Sequence, residues 1–198
     1  MPLAQSITPI SIEDFLAGEA HSEVRHEYED GLVYAMAGAS VNHNLITGNV
    51  HRLLGNHLQD HDCTPFMSDM LIKTMQTRFR YPDVVVFCDN LTGDETLLAN
   101  PVLIVEVLSR STRQKDKGIK LTEYLALPSL QEYVLIEQDF VQVEVLRRRS
   151  GWRPANHYLG DEVVFESVDA RLTVEAIYHK VNNNDMREWL AQKLPTQP

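Results

Sequence analysis

Two short runs decide what this chain can become. In "RYPDVVVFCDN", residues 80 to 90, Val84 to Phe87 read as the middle of a buried strand, and Asp83 stands at its mouth behind a proline. In "PVLIVEVLS", residues 101 to 109, the apolar run is longer and Glu106 lies inside it. A carboxylate buried alone costs on the order of several kcal/mol or takes up a proton. A fold that buries both strands must therefore give both carboxylates company.

If the two strands are neighbours, they lie ~4.8 Å apart, and two carboxylates on one face can share a hard cation. Mg²⁺ (or Mn²⁺) suits such a pair. It takes oxygen ligands at ~2.0–2.1 Å and often uses only one or two protein carboxylates, with water and phosphate completing the shell. Phosphodiester hydrolysis uses that arrangement. The plainer alternative is that Asp83 ends a strand and Glu106 pairs with an Arg or Lys.

Hydrolysis also calls for a cation near the attacking water. A lysine two residues after Glu106 would share its face, but that residue is Leu108. The nearest substitutes lie on the following helix, where Asp116, Lys120 and Tyr124 fall at i, i+4 and i+8 and form one stripe. Packed over the sheet, that stripe can face the carboxylates. Its bland reading is an ordinary i,i+4 ion pair, worth only ~0.3–0.5 kcal/mol.

The 198 residues suit one domain spanning 1–198, and the 43% hydrophobic content supports a full core. "MPLAQSITPI" has neither the basic nor the apolar region of a signal peptide, and no apolar run approaches the ~18 residues of a membrane span, so a cytoplasmic location is expected. Cys63 and Cys88 are too few for a zinc cage and read as reduced thiols. The net charge of −10 argues against indiscriminate nucleic-acid binding. Charge is unevenly spread, however. Arg110, Arg113, Lys115, Lys117 and Lys120 follow closely on Glu106, and Arg147 to Arg149 with Arg153 form a second basic cluster.

Along the chain, "SIEDFLAG" reads as a short helix capped by Ser11, and "RHEYEDGLVYAMAG" as a hairpin turning at Asp30-Gly31. A helix is expected from about Ser40 to Gln59. "CTPFMSDMLIKTM", "RYPDVVVFC" and "PVLIVEVL" read as strands, and a helix over about Thr112 to Leu127 stops before Pro128. "EYVLIEQ", "VQVEVLRRR", "WRPANHYL" and "EVVFES" continue as a strand meander, followed by helices in "TVEAIYHKV" and "MREWLAQKL". The strand–helix–strand order over 101 to 137 predicts an α/β fold, a mixed central sheet with helices on its faces.

The order of these residues resembles the PD-(D/E)XK nuclease superfamily, with Pro-Asp on one strand and Glu-x-Lys on the next. Within it the chain is similar to a large bacterial family of restriction-endonuclease-like domains. The stretches that carry the likeness are "HEYEDGLVYAMAGAS", "NHNLI", "YPDVVVFCD", "PVLIVEVLSRST" and "DKGIKLTEYLALPSLQEYVLI", covering most of residues 23 to 150. The resemblance implies a restriction-endonuclease-like fold in which Asp83 and Glu106 are metal ligands. It places Lys120 in the role of the strand lysine that Leu108 replaces. Glu27, in the Glu-x-x-Asp-Gly pattern, matches a further acidic residue near the metal site and is expected to hold a second metal or its waters, and His43 matches a histidine on the next helix. The implied activity is Mg²⁺-dependent hydrolysis of nucleic acid, DNA before RNA, by a homodimer, with Lys120 orienting or helping to deprotonate the attacking water. Arg110, Arg113 and Lys115 are placed to meet phosphates by charge.

Two rivals stand beside this reading. One is a nucleic-acid-binding or regulatory module of little catalytic power, which the negative net charge favours. The other is a metal-dependent hydrolase of a small phosphodiester. A lone histidine such as His43 is also a common structural hydrogen-bonding residue. The pair His57 and His61 has zinc-compatible spacing but no third ligand, and reads as surface. Trp152 and Tyr158 read as hairpin packing.

Overall fold

The fold was obtained as a computed structural model that describes residues 8–193. The N-terminal stretch of residues 1–7, and residue 194 at the end of the last expected helix, lie outside the described residues.

Ser11 caps α1 (Ile12–Glu19) by accepting from the Asp14 backbone N–H at 3.0 Å, as its position before an apolar-periodic run predicts. The hairpin β1 (His26–Glu29) and β2 (Leu32–Ala35) turns at Asp30 and Gly31, both at positive φ, 50° and 95°. A Cβ on Gly31 would lie 2.5 Å from the Pro9 Cβ, so glycine is required there for space as well as for conformation. Helix α2 (Val41–His57) starts from a Ser40 cap that accepts from the His43 N–H at 3.1 Å.

One expected strand proves to be two. The "CTPFMSDMLIKTM" run breaks at Ser68, which takes a φ of 58°. Its halves, β3 (Thr64–Met67) and β4 (Leu71–Met75), belong to different sheets. β5 (Arg78–Arg80), β6 (Val84–Phe87), β7 (Leu97–Leu98) and β8 (Leu103–Leu108) follow. The helix expected after β8 is α3 (Arg113–Lys115), a π-helical turn (Asp116–Lys120) and α4 (Leu121–Leu125) in succession. Next come β9 (Glu132–Glu137), β10 (Val143–Arg147), β11 (Pro154–His157), β12 (Glu162–Phe165) and β13 (Ala170–Thr173). The chain then forms α5 (Val174–Ile177) and α6 (Asn184–Lys193).

The central sheet has six strands in the order β11-β10-β9-β8-β6-β3. It is mixed, as expected: β8 and β9 run parallel across the helical connection, and their other neighbours are antiparallel. A second sheet, β2-β1-β5-β4-β7, carries the early hairpin. The expected meander holds for β9 to β11, but β12 leaves it and pairs with β13 alone.

Alternation along β6 and β8 gives the central sheet two packed faces. Val84, Val86, Val105 and Val107 meet Ile46, Val50 and Leu54 of α2 in one core. Val85, Phe87, Ile104 and Leu108 meet Tyr124, Tyr133 and Leu135 in another. Both strands are fully buried, which is why they read as unbroken apolar runs.

The reading of Cys63 and Cys88 as reduced thiols is corrected: the two are joined by a disulfide. β3 pairs with β6 with Thr64 opposite Phe87, and one further step of that register sets Cys63 opposite Cys88. Among the described residues no helix is long and apolar enough to cross a membrane.

Candidate active site

β6 and β8 pair with Val84 opposite Val105, and one further step sets Asp83 opposite Glu106. The same alternation puts Glu106 on the face of Ile104 and Leu108, beneath the π turn and α4. The two carboxylates read from the sequence thus open onto one face of neighbouring strands. Leu108 is fully buried in that packing, so the position two residues after Glu106 is apolar core.

A lysine reaches the strand pair from above. Lys120, at the end of the π turn, places its Nζ 2.9 Å from Glu106 Oε1, 3.2 Å from Glu27 Oε1 and 3.3 Å from Asp116 Oδ1. Tyr124 donates its hydroxyl to the same Glu106 Oε1 at 2.8 Å. The stripe Asp116, Lys120, Tyr124 therefore faces the carboxylates, and Asp116 is more than the surface partner of an i,i+4 pair. It is buried, and its Oδ1 lies near Lys120 without forming a hydrogen bond. π turns inside helices occur often at functional sites.

Asp83 is fixed at the strand mouth through one oxygen. Its Oδ2 accepts from the Val107 N–H at 2.7 Å and lies 3.2 Å from His43 Nε2, on the first turn of α2. Among the described residues, Asp83 Oδ1 and Glu106 Oε2 have no hydrogen-bond partner. Each carboxylate spends one oxygen on the protein and keeps the other free.

Burial sets the charge states. It pushes the Glu106 carboxyl well above the usual range against the pull of Lys120, and Asp116 and Asp83 push the same way. Burial also raises Asp116 despite Lys120. For Lys120, burial alone would favour the neutral amine, but Glu106, Glu27 and Asp116 overcome it and hold the ammonium charged far above its ordinary range. His43 is likewise raised, because its contact with Asp83 outweighs its burial.

Glu27 belongs to a layer of ion pairs behind Lys120. Its Oε2 accepts from Lys115 at 2.8 Å and from Arg80 at 3.0 Å. Burial would raise its pKa, but Lys120, Arg80 and Lys115 bring it down to about 2. Arg80 is the hub of this layer and is fully buried. It binds Glu123 through Nε at 2.9 Å and Nη2 at 2.6 Å, and its Nη1 also meets Glu29. Glu123 accepts further from Arg78 at 2.8 Å and Thr74 at 2.9 Å. Sequence reasoning missed Arg80 and Glu123. The available signals were an arginine three residues before Asp83 and a glutamate one turn beyond Lys120.

The other candidates fall at varying distance from this centre. Lys115 is spent on Glu27 and on Glu29, at 2.6 Å from the latter, and Arg113 makes a two-pronged pair with Glu137. Arg110 is 87% exposed and touches Asp139 at 3.3 Å. Three arginines of the second basic cluster are engaged at home. Arg147 holds Glu132, Arg148 binds the carbonyls of Leu130 and Leu127 and stacks on Trp152, and Arg149 pairs with Glu166. His57 and His61 stack on one another at the surface, His57 against the Val168 carbonyl.

A mixed sheet carrying a Pro-Asp carboxylate, a second carboxylate on the next strand and a buried lysine defines a protein of the PD-(D/E)XK restriction-endonuclease-like class. The chain belongs to the Uma2 family, whose model, described as "Putative restriction endonuclease", matches residues 12–175. It is 35% identical over 173 residues to an uncharacterized protein of Synechocystis sp., covering 85% of this chain and 91% of the relative. A second uncharacterized Synechocystis protein is 37% identical over 139 residues, covering 68% and 78%. In three dimensions the chain is similar to a crystal structure described as a putative nuclease belonging to DUF820, from Anabaena variabilis. The TM-score is 0.72 at 18% identity, over 86% of this chain and 98% of that one.

Proposed function

We propose that this protein hydrolyses phosphodiester bonds of nucleic acid with a divalent cation, Mg²⁺ or Mn²⁺, held by Asp83 and Glu106. The observation that carries this reading is the pair itself: carboxylates set opposite one another on adjoining strands, each with one oxygen free, beside a buried lysine. Among the described residues no three His, Cys, Asp or Glu side chains form a ready cage. A pair suffices for Mg²⁺, which keeps several waters and takes few protein ligands. When bound, such an ion polarises the phosphate and lowers the pKa of a coordinated water.

The chain's own groups then have distinct tasks. His43 and the Val107 N–H hold Asp83 in place through Oδ2. Lys120 and Tyr124 do the same for Glu106 through Oε1. Because Lys120 stays charged, we assign it a fixed positive charge that orients water and steadies the developing charge on phosphate, in preference to taking a proton. Both oxygens of Glu27 are occupied by cations, so we assign it the anchoring of Lys120 in preference to holding a second metal.

Plasmid nicking in Mg²⁺ and in Mn²⁺ tests the proposal, with Asp83→Ala and Glu106→Ala beside the parent. Metal-dependent cleavage is expected in the parent, and at least ~100-fold less in each variant. Cleavage that survives in both variants would sink the mechanism. One observation favours the binding-module reading instead: at a net charge of −10, Arg113, Lys115 and Arg147 to Arg149 are all spent inside the protein. That reading, taken as a regulatory module, predicts Mg²⁺-dependent stabilisation without turnover.

A further inference from the structure

Beside the carboxylate centre lies a pocket of about 600 Å³ that none of Asp83, Glu106 or Lys120 lines. It opens where the parallel strands β8 and β9 end, below the first turn of α2. In open α/β sheets that is where ligands collect. The floor and walls come from four segments: Ser40 to Asn42, Arg110 with Ser111, Gln138 with Asp139, and Asn182, which the Asn42 side chain holds.

The pocket is rich in donors. Ser40 spends its side chain on the His43 N–H, and among the described residues the backbone N–H groups of Val41 and Asn42 have no partner. The first turn of α2 contains no acidic residue, so the positive end of a 17-residue helix is uncompensated. Gln138 is 93% buried by its 7% exposure, yet it lines the pocket. Its Oε1 accepts from Ser40, and its Nε2 has no partner among the described residues. Arg110 reaches over the rim with both terminal nitrogens unpaired. The opposing charge is Asp139, which Arg110 and Arg113 share at 3.3 and 3.5 Å. An exposed pair of that kind is weak, so Arg110 can leave it at small cost.

We propose that this pocket binds a backbone phosphate of nucleic acid adjacent to the phosphate that is cut. The inference rests on the nuclease reading and gives it a substrate-positioning subsite. The same helical turn that sends His43 to Asp83 presents the N–H groups of Val41 and Asn42 to the pocket, which fixes the spacing between the two. Gln138 supplies the amide donor, Arg110 the mobile charge. Helix N-termini and arginine forks are well suited to phosphate.

The test measures binding directly, with a short fluorescein-labelled duplex in Ca²⁺ and fluorescence anisotropy as readout. Gln138→Glu keeps the acceptor for Ser40 while replacing the donor by a negative charge, and is expected to raise Kd at least ~10-fold. Asp139→Asn removes the competing carboxylate and is expected to lower Kd ~3-fold or more. The two opposite shifts guard against a folding artefact, since a variant that failed to fold would not bind more tightly. Both variants within twofold of the parent would overturn the proposal. So would a parent whose melting temperature rises with inorganic phosphate, if duplex affinity ignored both substitutions, because the pocket would then serve free phosphate. Mg²⁺ cleavage on the same samples separates the two readings. Unchanged affinity with intact cleavage removes the subsite alone, whereas shifted affinity without any cleavage keeps the subsite and removes the nuclease.

Discussion

Replacing Arg80 by methionine should separate the scaffold of the site from its chemistry. The side chain is fully buried and holds Glu123, Glu27 and Glu29 at once. Methionine keeps much of the volume but leaves those carboxylates short of a cation. Glu123 retains Arg78 and Thr74, and Glu27 retains Lys115 and Lys120, so the loss is partial for each. Removing one partner of a buried ion pair costs ~3–5 kcal/mol. At ~2–4 °C per kcal/mol for a domain near this size, the melting temperature should fall by ~6–20 °C. A second readout follows from Glu27. Burial works against its charge and Lys120, Arg80 and Lys115 hold it down at about 2, below the ordinary 4.5. A depressed carboxylate adds stability above its unfolded pKa, and that stability is lost as pH falls from about 4.5 towards about 2. Without Arg80 the folded pKa rises, the window narrows, and Glu27 contributes less at neutral pH. Adding Glu123→Leu should restore part of the loss, because an apolar pair can replace a buried ion pair. A melting temperature for Arg80→Met within ~2 °C of the parent would refute the reasoning, whatever happened to activity.

Two further outcomes are expected. Burial holds the Glu106 carboxyl above its ordinary range, so an ion that needs the carboxylate must expel the proton; Mg²⁺ affinity should rise with pH, and calorimetry in buffers of different ionisation enthalpy should show proton release. An affinity flat in pH with no proton released would refute this. Reduction of the Cys63–Cys88 disulfide reopens a loop of sequence separation 25, which the chain-entropy account values at ~3.5 kcal/mol; thermal melts with and without reductant should differ by ~7–14 °C, and superimposable melts would rule out a contribution of that size.

The parts of this fold that were legible in the sequence are those where local pattern and tertiary demand agree. Val84 to Phe87 and Leu103 to Leu108 are buried on both faces, so composition alone marked them as central strands. Ser11 and Asp30-Gly31 announced their cap and turn because each satisfies backbone groups locally. The break at Ser68 was hidden because a serine in the left-handed region is supported by its surroundings, here a bond from its N–H to the Asp83 carbonyl, and not by its own propensity. β12 was misplaced for a related reason, and its partner β13 was not read at all: alternation says that a segment is a strand but not which strand it pairs with. The disulfide depended on the register between β3 and β6, which cysteine counting cannot supply.

Within the site, Asp83, Glu106 and Lys120 were legible because a carboxylate inside an apolar strand is anomalous and calls for an explanation. Arg80 was not, because an arginine on a short strand is ordinary until the fold removes it from water. That difference reflects two ways of keeping charge in a dry interior. Glu27, Glu29 and Glu123 meet Arg80, Arg78 and Lys115, with Lys120 as a further partner of Glu27, so each of these carboxylates has at least two cationic contacts. Asp83, Glu106 and Asp116 face only Lys120 and the edge contact of His43, leaving carboxylate in excess on the side where free oxygens remain. Selection for stability alone would neutralise that surplus, and glutamine in place of Glu106 could still accept from Lys120 and Tyr124. The surplus of carboxylate lies on the side where the proposed cation would sit, so the charge imbalance and the free oxygens call for the same test, the metal titration of the parent beside its Glu106 variant.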